Sequence, residues 1–163
     1  MSEANTELIR RFYEAFDRHD GEAMASCYAP DATFRDPAFG ELRGDQVGSM
    51  WRMLTSRAED LEVELVEHDA DERTGTAHWL ADYTFTQTGR RVHNDIRATF
   101  AFDGGLITDH VDEFDLGRWA RQALGPMGWA ISIVPPLGSS VRRKARAGLE
   151  EYMGAGGSSR LSH

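Results

Sequence analysis

Two titratable side chains on one face of a strand are the first candidates for chemistry. Leu106 to Asp115 reads Leu-Ile-Thr-Asp-His-Val-Asp-Glu-Phe-Asp, and side chains alternate faces along a strand. His110, Asp112 and Phe114 therefore share a face. If Phe114 looks inward, an imidazole and a carboxylate look inward with it, onto an apolar floor where they cost free energy unless paired or used. A histidine titrates near neutrality and serves as general acid or base, and a nearby carboxylate can orient it and raise its pKa. The bland alternative is a buried polar pair satisfied by Tyr83 or Asn94. Asp36, in Asp36-Pro37, is a third candidate. Partial desolvation by neighbours such as Phe39 and Trp51 would raise its pKa and suit it to abstract a proton next to a carbonyl. The competing reading is an ordinary turn aspartate.

Other constellations are weaker. His93, Asp95 and Arg97 form an ionic row on the opposite face, with Asp82 and His78 as possible cross-strand neighbours. A solvated sheet face or a dimer contact explains them most simply. No third ligand accompanies His93 and Asp95, or His110 and Asp112, so no metal site is expected. Neither a glycine-rich phosphate loop nor a nucleophile elbow is present. The basic run Arg142 to Arg146 reads as the solvated face of a helix.

The elements that must position these groups follow from hydrophobic spacing. Asp103-Gly104-Gly105 is a strong hairpin signal. It joins a strand carrying Ile96, Ala98, Phe100 and Phe102 on one face to the strand of His110 and Asp112. Upstream, Leu61, Val63 and Leu65, then Trp79, Ala81, Tyr83 and Phe85, alternate as strands. Together these four segments predict an antiparallel meander that curls as sheets twist. Ahead of it, Leu8, Ile9, Phe12, Tyr13 and Phe16 recur at helical spacing, predicting a helix over residues 5–19 capped by Asn5 or Thr6. Asp20 caps a short second helix carrying Met24, Cys27 and Tyr28, ended by Pro30. Short strands follow at Ala32 to Arg35 and Phe39 to Arg43. A third helix carries Val47, Met50, Trp51 and Leu54.

After the hairpin, residues 115–124 read as a helix. Met127 to Leu137 is apolar, and Ser139 or Ser140 would cap a basic helix to Met153. The Gly/Ser-rich residues 154–163 read as disordered. The expected organisation is a domain over 1–125, an appended lid or dimer contact over 126–153, and a disordered tail over 154–163.

With 163 residues the chain is long enough for one domain with a core, and 40% hydrophobic residues exclude a disordered chain. A net charge of -9 makes nucleic acid and anionic membranes poor partners. The lone cysteine, Cys27, excludes an internal disulfide. No apolar run spans a bilayer, so a cytoplasmic protein is the default expectation.

Asp31-Ala-Thr-Phe-Arg-Asp36-Pro37 follows a Phe-Tyr-containing helix that ends at His19-Asp20-Gly21. It precedes the hairpin Phe102-Asp-Gly-Gly-Leu-Ile-Thr-Asp-His110-Val-Asp112-Glu-Phe-Asp115. In this order and spacing, from about Thr6 to Asp115, the chain resembles the nuclear transport factor 2-like superfamily. Within it, the similarity is to the SnoaL-like polyketide cyclase and ketosteroid isomerase branch.

The resemblance implies an α+β fold: a cone-shaped barrel of curved antiparallel sheet packed against three N-terminal helices, with a C-terminal helical extension. It puts Asp36 where the isomerases keep their general base, and His110 and Asp112 where the cyclases place acid/base groups. The isomerase oxyanion hole does not carry over, because its positions fall on Phe12 and Ala98. A pocket lined by Phe12, Phe16, Trp51, Trp79, Tyr83, Phe85, Asn94, Phe100 and Phe114 is expected. Its guest would be a small hydrophobic, carbonyl-bearing molecule, polyketide-like or terpenoid-like, that undergoes cofactor-free cyclisation, isomerisation or dehydration. Homodimerisation is also implied. Two other readings stay open: an epoxide hydrolase with an inward Asp95-Arg97 pair, and a non-catalytic binding protein.

Overall fold

The computed structural model describes residues 2–126 and 135–160. The order is α1 (Glu3–Asp17), α2 (Gly21–Ala25), β1 (Tyr28–Asp36), β2 (Gly40–Arg43), α3 (Asp45–Arg57), β3 (Glu62–Ala70), β4 (Thr74–Phe85), β5 (Arg90–Asp103), β6 (Leu106–Glu113), α4 (Leu116–Leu124) and α5 (Pro135–Arg160). The strands form one curved, unclosed sheet in the order β2-β1-β6-β5-β4-β3, with helices against its concave face. This is the expected α+β cone.

The predicted meander is present as β3 to β6, antiparallel throughout. Gly104 and Gly105, at φ 60° and 79°, make the turn between β5 and β6, a backbone that glycine adopts without steric cost. The pairing of β1 with β6 is parallel. Phe34 lies opposite His110 and Arg35 opposite Val111, so the next residues along, Asp36 and Asp112, come to the same end of the ladder. Phe34 and His110 are both buried. By alternation, the two carboxylates project towards the same concave side.

Local differences from expectation have local causes. Helix α1 begins at Glu3, because Ser2 caps it by accepting from the Asn5 amide at 3.2 Å. Asn5 instead ties the helix start to the carbonyls of Asp71 and Glu72, at 3.0 and 3.2 Å. Tyr28, expected on the second helix, is the first residue of β1. Pro30 lies within that strand, where the register against β6 shifts; such an irregularity tolerates its missing N–H.

At the C-terminal end, α5 begins at Pro135, so Ser139 and Ser140 lie inside the helix rather than capping it. The helix continues through the Gly/Ser-rich residues as far as Arg160. Most of the apolar stretch Met127 to Leu137 falls on residues 127–134, which lie outside the described residues, as do 161–163. Nor are Arg142 and Arg146 merely solvated. Arg146 Nη1 donates to the carbonyls of Glu41 (2.7 Å) and Phe39 (3.3 Å), and Arg142 Nη1 to that of Pro37 (3.5 Å). Leu149 is buried in the core. Helix α5 therefore grips the β1–β2 turn that follows Asp36.

Phe12 occupies the centre of the core, with edge-on contacts to Tyr13, Tyr28, Trp51, Phe100 and His110 at centroid separations of 5.0 to 6.5 Å. Such contacts favour one ring arrangement over others.

Candidate active site

Beneath the helices, the cone leaves a hollow of about 310 Å³, a size that accepts a small molecule. Seven of the nine expected binding residues border it: Phe16, Trp51, Trp79, Tyr83, Phe85, Asn94 and Phe114. Phe12 and Phe100 do not. They are 0% and 3% exposed and sit behind the wall as core. Sequence reasoning missed Trp119 and Met50, which also line the hollow.

Asp36 and Asp112 both line it. Asp36 Oδ1 accepts the Phe39 amide at 2.6 Å. Its pKa is nevertheless raised from 3.8 to about 7: burial disfavours the anion most, and the Asp112 charge adds to this, while the Phe39 and Ala38 amides oppose both. A carboxyl in that range can accept and return a proton near neutrality.

His110 is placed differently from its expected role. It is 0% exposed, is not among the residues lining the hollow, and packs against Phe34 and Phe100 at centroid separations of 5.0 and 4.3 Å. Its two ring nitrogens are both occupied: Nδ1 by the Tyr28 hydroxyl at 2.7 Å and Nε2 by Asp112 Oδ1 at 2.8 Å. Trp51 Nε1 donates to the same hydroxyl at 2.8 Å. One proton arrangement satisfies every member of this chain. Trp51 donates to the Tyr28 oxygen, Tyr28 O–H donates to Nδ1, and Nε2–H donates to Asp112, leaving the imidazole neutral. A doubly protonated ring would leave the buried Tyr28 proton without an acceptor. His110 therefore reaches the hollow only through its hydrogen bond to Asp112. Its partner is Tyr28, not the expected Tyr83 or Asn94. Burial first, and the Asp112 charge second, push the Tyr28 hydroxyl well above its ordinary range. The one local signal for its placement was Pro30, which biases the chain before it towards extended backbone.

Asp112 is only 4% exposed. Its Oδ1 is taken by His110, and Oδ2 has no hydrogen bond among the described residues. Opposite, Tyr83 accepts from Trp119 Nε1 at 2.7 Å, which leaves its own proton free to donate. Burial raises the Tyr83 pKa, and the Trp119 bond opposes that shift. Asn94 also borders the hollow.

The second ionic row stays outside. His78 pairs with Asp95 and His93 with Asp82, each at 2.7 Å, on the exposed face of the sheet. Asp95 and Arg97 are exposed there, so the inward pair that the hydrolase reading requires is not formed. Among the described residues, no cluster of three His, Cys, Asp or Glu side chains is arranged to hold a metal ion.

Residues 9–110 match a family model described as a SnoaL-like domain. No curated protein matches the chain significantly. Several solved structures share the fold. One is a hypothetical protein with a ketosteroid isomerase-like fold from Catenulispora acidiphila, in complex with trimethylamine. It has 18% identity and a TM-score of 0.66, covering 76% of this chain and 96% of that one. A candidate polyketide cyclase from Xanthomonas campestris has 21% identity and a TM-score of 0.62, covering 73% and 96%. An LEH-like epoxide hydrolase from M. tuberculosis has 20% identity and a TM-score of 0.62, covering 81% and 96%. At these identities the likeness is one of fold.

Proposed function

The chain belongs to the SnoaL-like domain family, and on that premise we propose that its hollow performs acid/base chemistry on a small apolar carbonyl compound, polyketide-like or terpenoid-like. The observation that supports this most is a pair of carboxyls in one aromatic-walled hollow, with Asp36 at a pKa of about 7. As the anion, Asp36 removes a proton from the carbon next to the carbonyl. As the acid, it returns that proton at another position, which completes an isomerisation or accompanies ring closure or loss of water. Negative charge develops on the substrate oxygen in this step. Tyr83 O–H and the Asn94 amide are donors on the wall that can stabilise it. Asp112 raises the basicity of Asp36 through its charge, and His110 fixes the direction in which Asp112 points.

The test is exchange of α-hydrogens for deuterium across a panel of apolar ketones, followed by NMR in heavy water. Removing a positioned general base typically costs about 10² to 10⁴ in rate, and Asp36→Asn is expected to lose exchange on that scale. Equal exchange by Asp36→Asn and the unsubstituted protein would defeat the assignment.

A further inference from the structure

We infer that the hollow is built for an organic ammonium ion, a protonated or quaternary amine on an apolar body, seated between aromatic faces and the carboxylate of Asp112. The inference rests on reading the hollow as the substrate site, and it narrows the substrate to carbonyl compounds that also carry a basic nitrogen.

Asp112 faces the hollow with one carboxylate oxygen, Oδ2, that has no hydrogen bond among the described residues. This carboxylate is 4% exposed. A buried anion normally has a cation or several donors around it. Among the described residues the protein supplies one hydrogen bond, from the His110 ring, whose other nitrogen is taken by the Tyr28 hydroxyl. Asp36 adds a second carboxyl rather than a counter-charge.

Among the described residues, the lining offers no compensating cation in its depth. Arg57 is the single basic residue of the lining among the described residues and is exposed, as are Glu59 and Asp60 nearby in the chain. The remaining titratable group on the wall is Tyr83, with Tyr13, Tyr28 and His110 behind it. None of these brings positive charge to Asp112 in the proton arrangement described above.

The walls favour the same class of guest. Trp51, Trp79, Tyr83 and Phe114 present aromatic rings to the hollow, and ring faces attract cations, most strongly where water is excluded. A neutral apolar guest would displace water from Asp112 and offer nothing in return. An anionic guest would meet two carboxyls. An ammonium ion gains from the carboxylate and from the rings, while Tyr83 and Asn94 remain available for an oxygen elsewhere on the same molecule.

The test uses the full chain and two probes of one shape, benzyltrimethylammonium and its uncharged carbon isostere neopentylbenzene, with binding followed by tryptophan fluorescence. The cation is expected to bind at least about tenfold more tightly. A merely greasy hollow would give the reverse order, since the hydrocarbon is the more hydrophobic. Asp112→Asn keeps an oxygen for the His110 bond and removes the charge. It should erase about tenfold of the cation's affinity and leave the hydrocarbon's unchanged.

Calorimetry in two buffers of different ionisation enthalpy supplies a second readout. Because Asp36 has a pKa of about 7, a bound cation should expel about half a proton at pH 7 and almost none at pH 9. Hydrocarbon binding as tight as the cation's, cation affinity indifferent to Asp112→Asn, or no binding of either probe would overturn the inference. Cation preference without deuterium exchange would sink the acid/base chemistry alone. Exchange without cation preference would sink the present inference alone.

Discussion

Asp36→Asn should stabilise the protein, increasingly as pH rises above about 4 and fully above about 7. In the folded chain the Asp36 carboxyl has a pKa of about 7 in place of its ordinary 3.8. Between those values the folded state holds a proton that the unfolded state has released, so stability falls as pH rises through this window. Below pH 3.8 the group is neutral in both states and contributes no penalty. Above pH 7 it is ionised in both, and the folded state bears the whole cost of a buried anion beside Asp112. At about 1.4 kcal/mol per pH unit, the gap corresponds to about 4 kcal/mol.

Asparagine has nearly the same shape, keeps an oxygen for the Phe39 amide, and carries no charge. Urea denaturation of both proteins at pH 4.5 and pH 8.5 isolates the effect, because every other titrating group is common to the two. The expected result is a stability gain for Asp36→Asn that is larger by about 2 to 4 kcal/mol at pH 8.5 than at pH 4.5. An equal effect at the two pH values, or a loss at pH 8.5, would refute the description of Asp36 as a buried, destabilised carboxyl. The same substitution should slow proton transfer by about 10² to 10⁴, so the stability and the activity of this variant should move in opposite directions.

Other expectations are more local. Tyr28→Phe strands the Trp51 indole N–H and the Nδ1 of His110 in the core, so it should cost about 2 to 4 kcal/mol by urea denaturation; a near-neutral result would contradict the proton chain. Asp95→Asn breaks an outer-face pair with His78 that is half in solvent, and it should change stability by less than about 1 kcal/mol and leave deuterium exchange intact. Lost exchange in that variant would place the reaction on the wrong face. Arg146→Met removes the grip on the Phe39 and Glu41 carbonyls. It should speed hydrogen exchange at the Phe39 amide about fivefold or more, and an unchanged rate would show that α5 does not secure the turn.

Strand phase was legible in the sequence where an aromatic residue marked the apolar face of the same strand. Phe114 marked the inward face of β6, so His110 and Asp112, four and two residues before it, could be read as inward. The turn at Asp103-Gly104-Gly105 alone would have put His110 opposite the exposed Thr99; a register shift after Ile107 brings it opposite Phe100 instead, and no residue type announced that shift. What could not be read depended on distant segments. Tyr28 reaches His110 only because β1 lies against β6, a pairing that no local turn announces. The withdrawal of His110 from the hollow depends on Phe12 and Phe34 closing around it, and periodicity cannot separate a wall residue from one directly behind the wall. Likewise, Arg142 and Arg146 looked solvated because their acceptors are backbone carbonyls, which every segment offers and no residue type identifies.

The parallel pairing of β1 with β6 bears on how the molecule assembles. Phe34 meets His110 across 76 positions of chain, and closing a loop of that length forfeits entropy before any contact rewards it. The edge of β1 that β6 will cover is synthesised early and stays open until nearly all of the intervening sheet exists. The two carboxyls consequently remain solvated and unremarkable in every folding intermediate that lacks the last strand. The raised pKa of Asp36 is thus a property of the finished sheet, because the Asp112 charge that contributes to it arrives with β6.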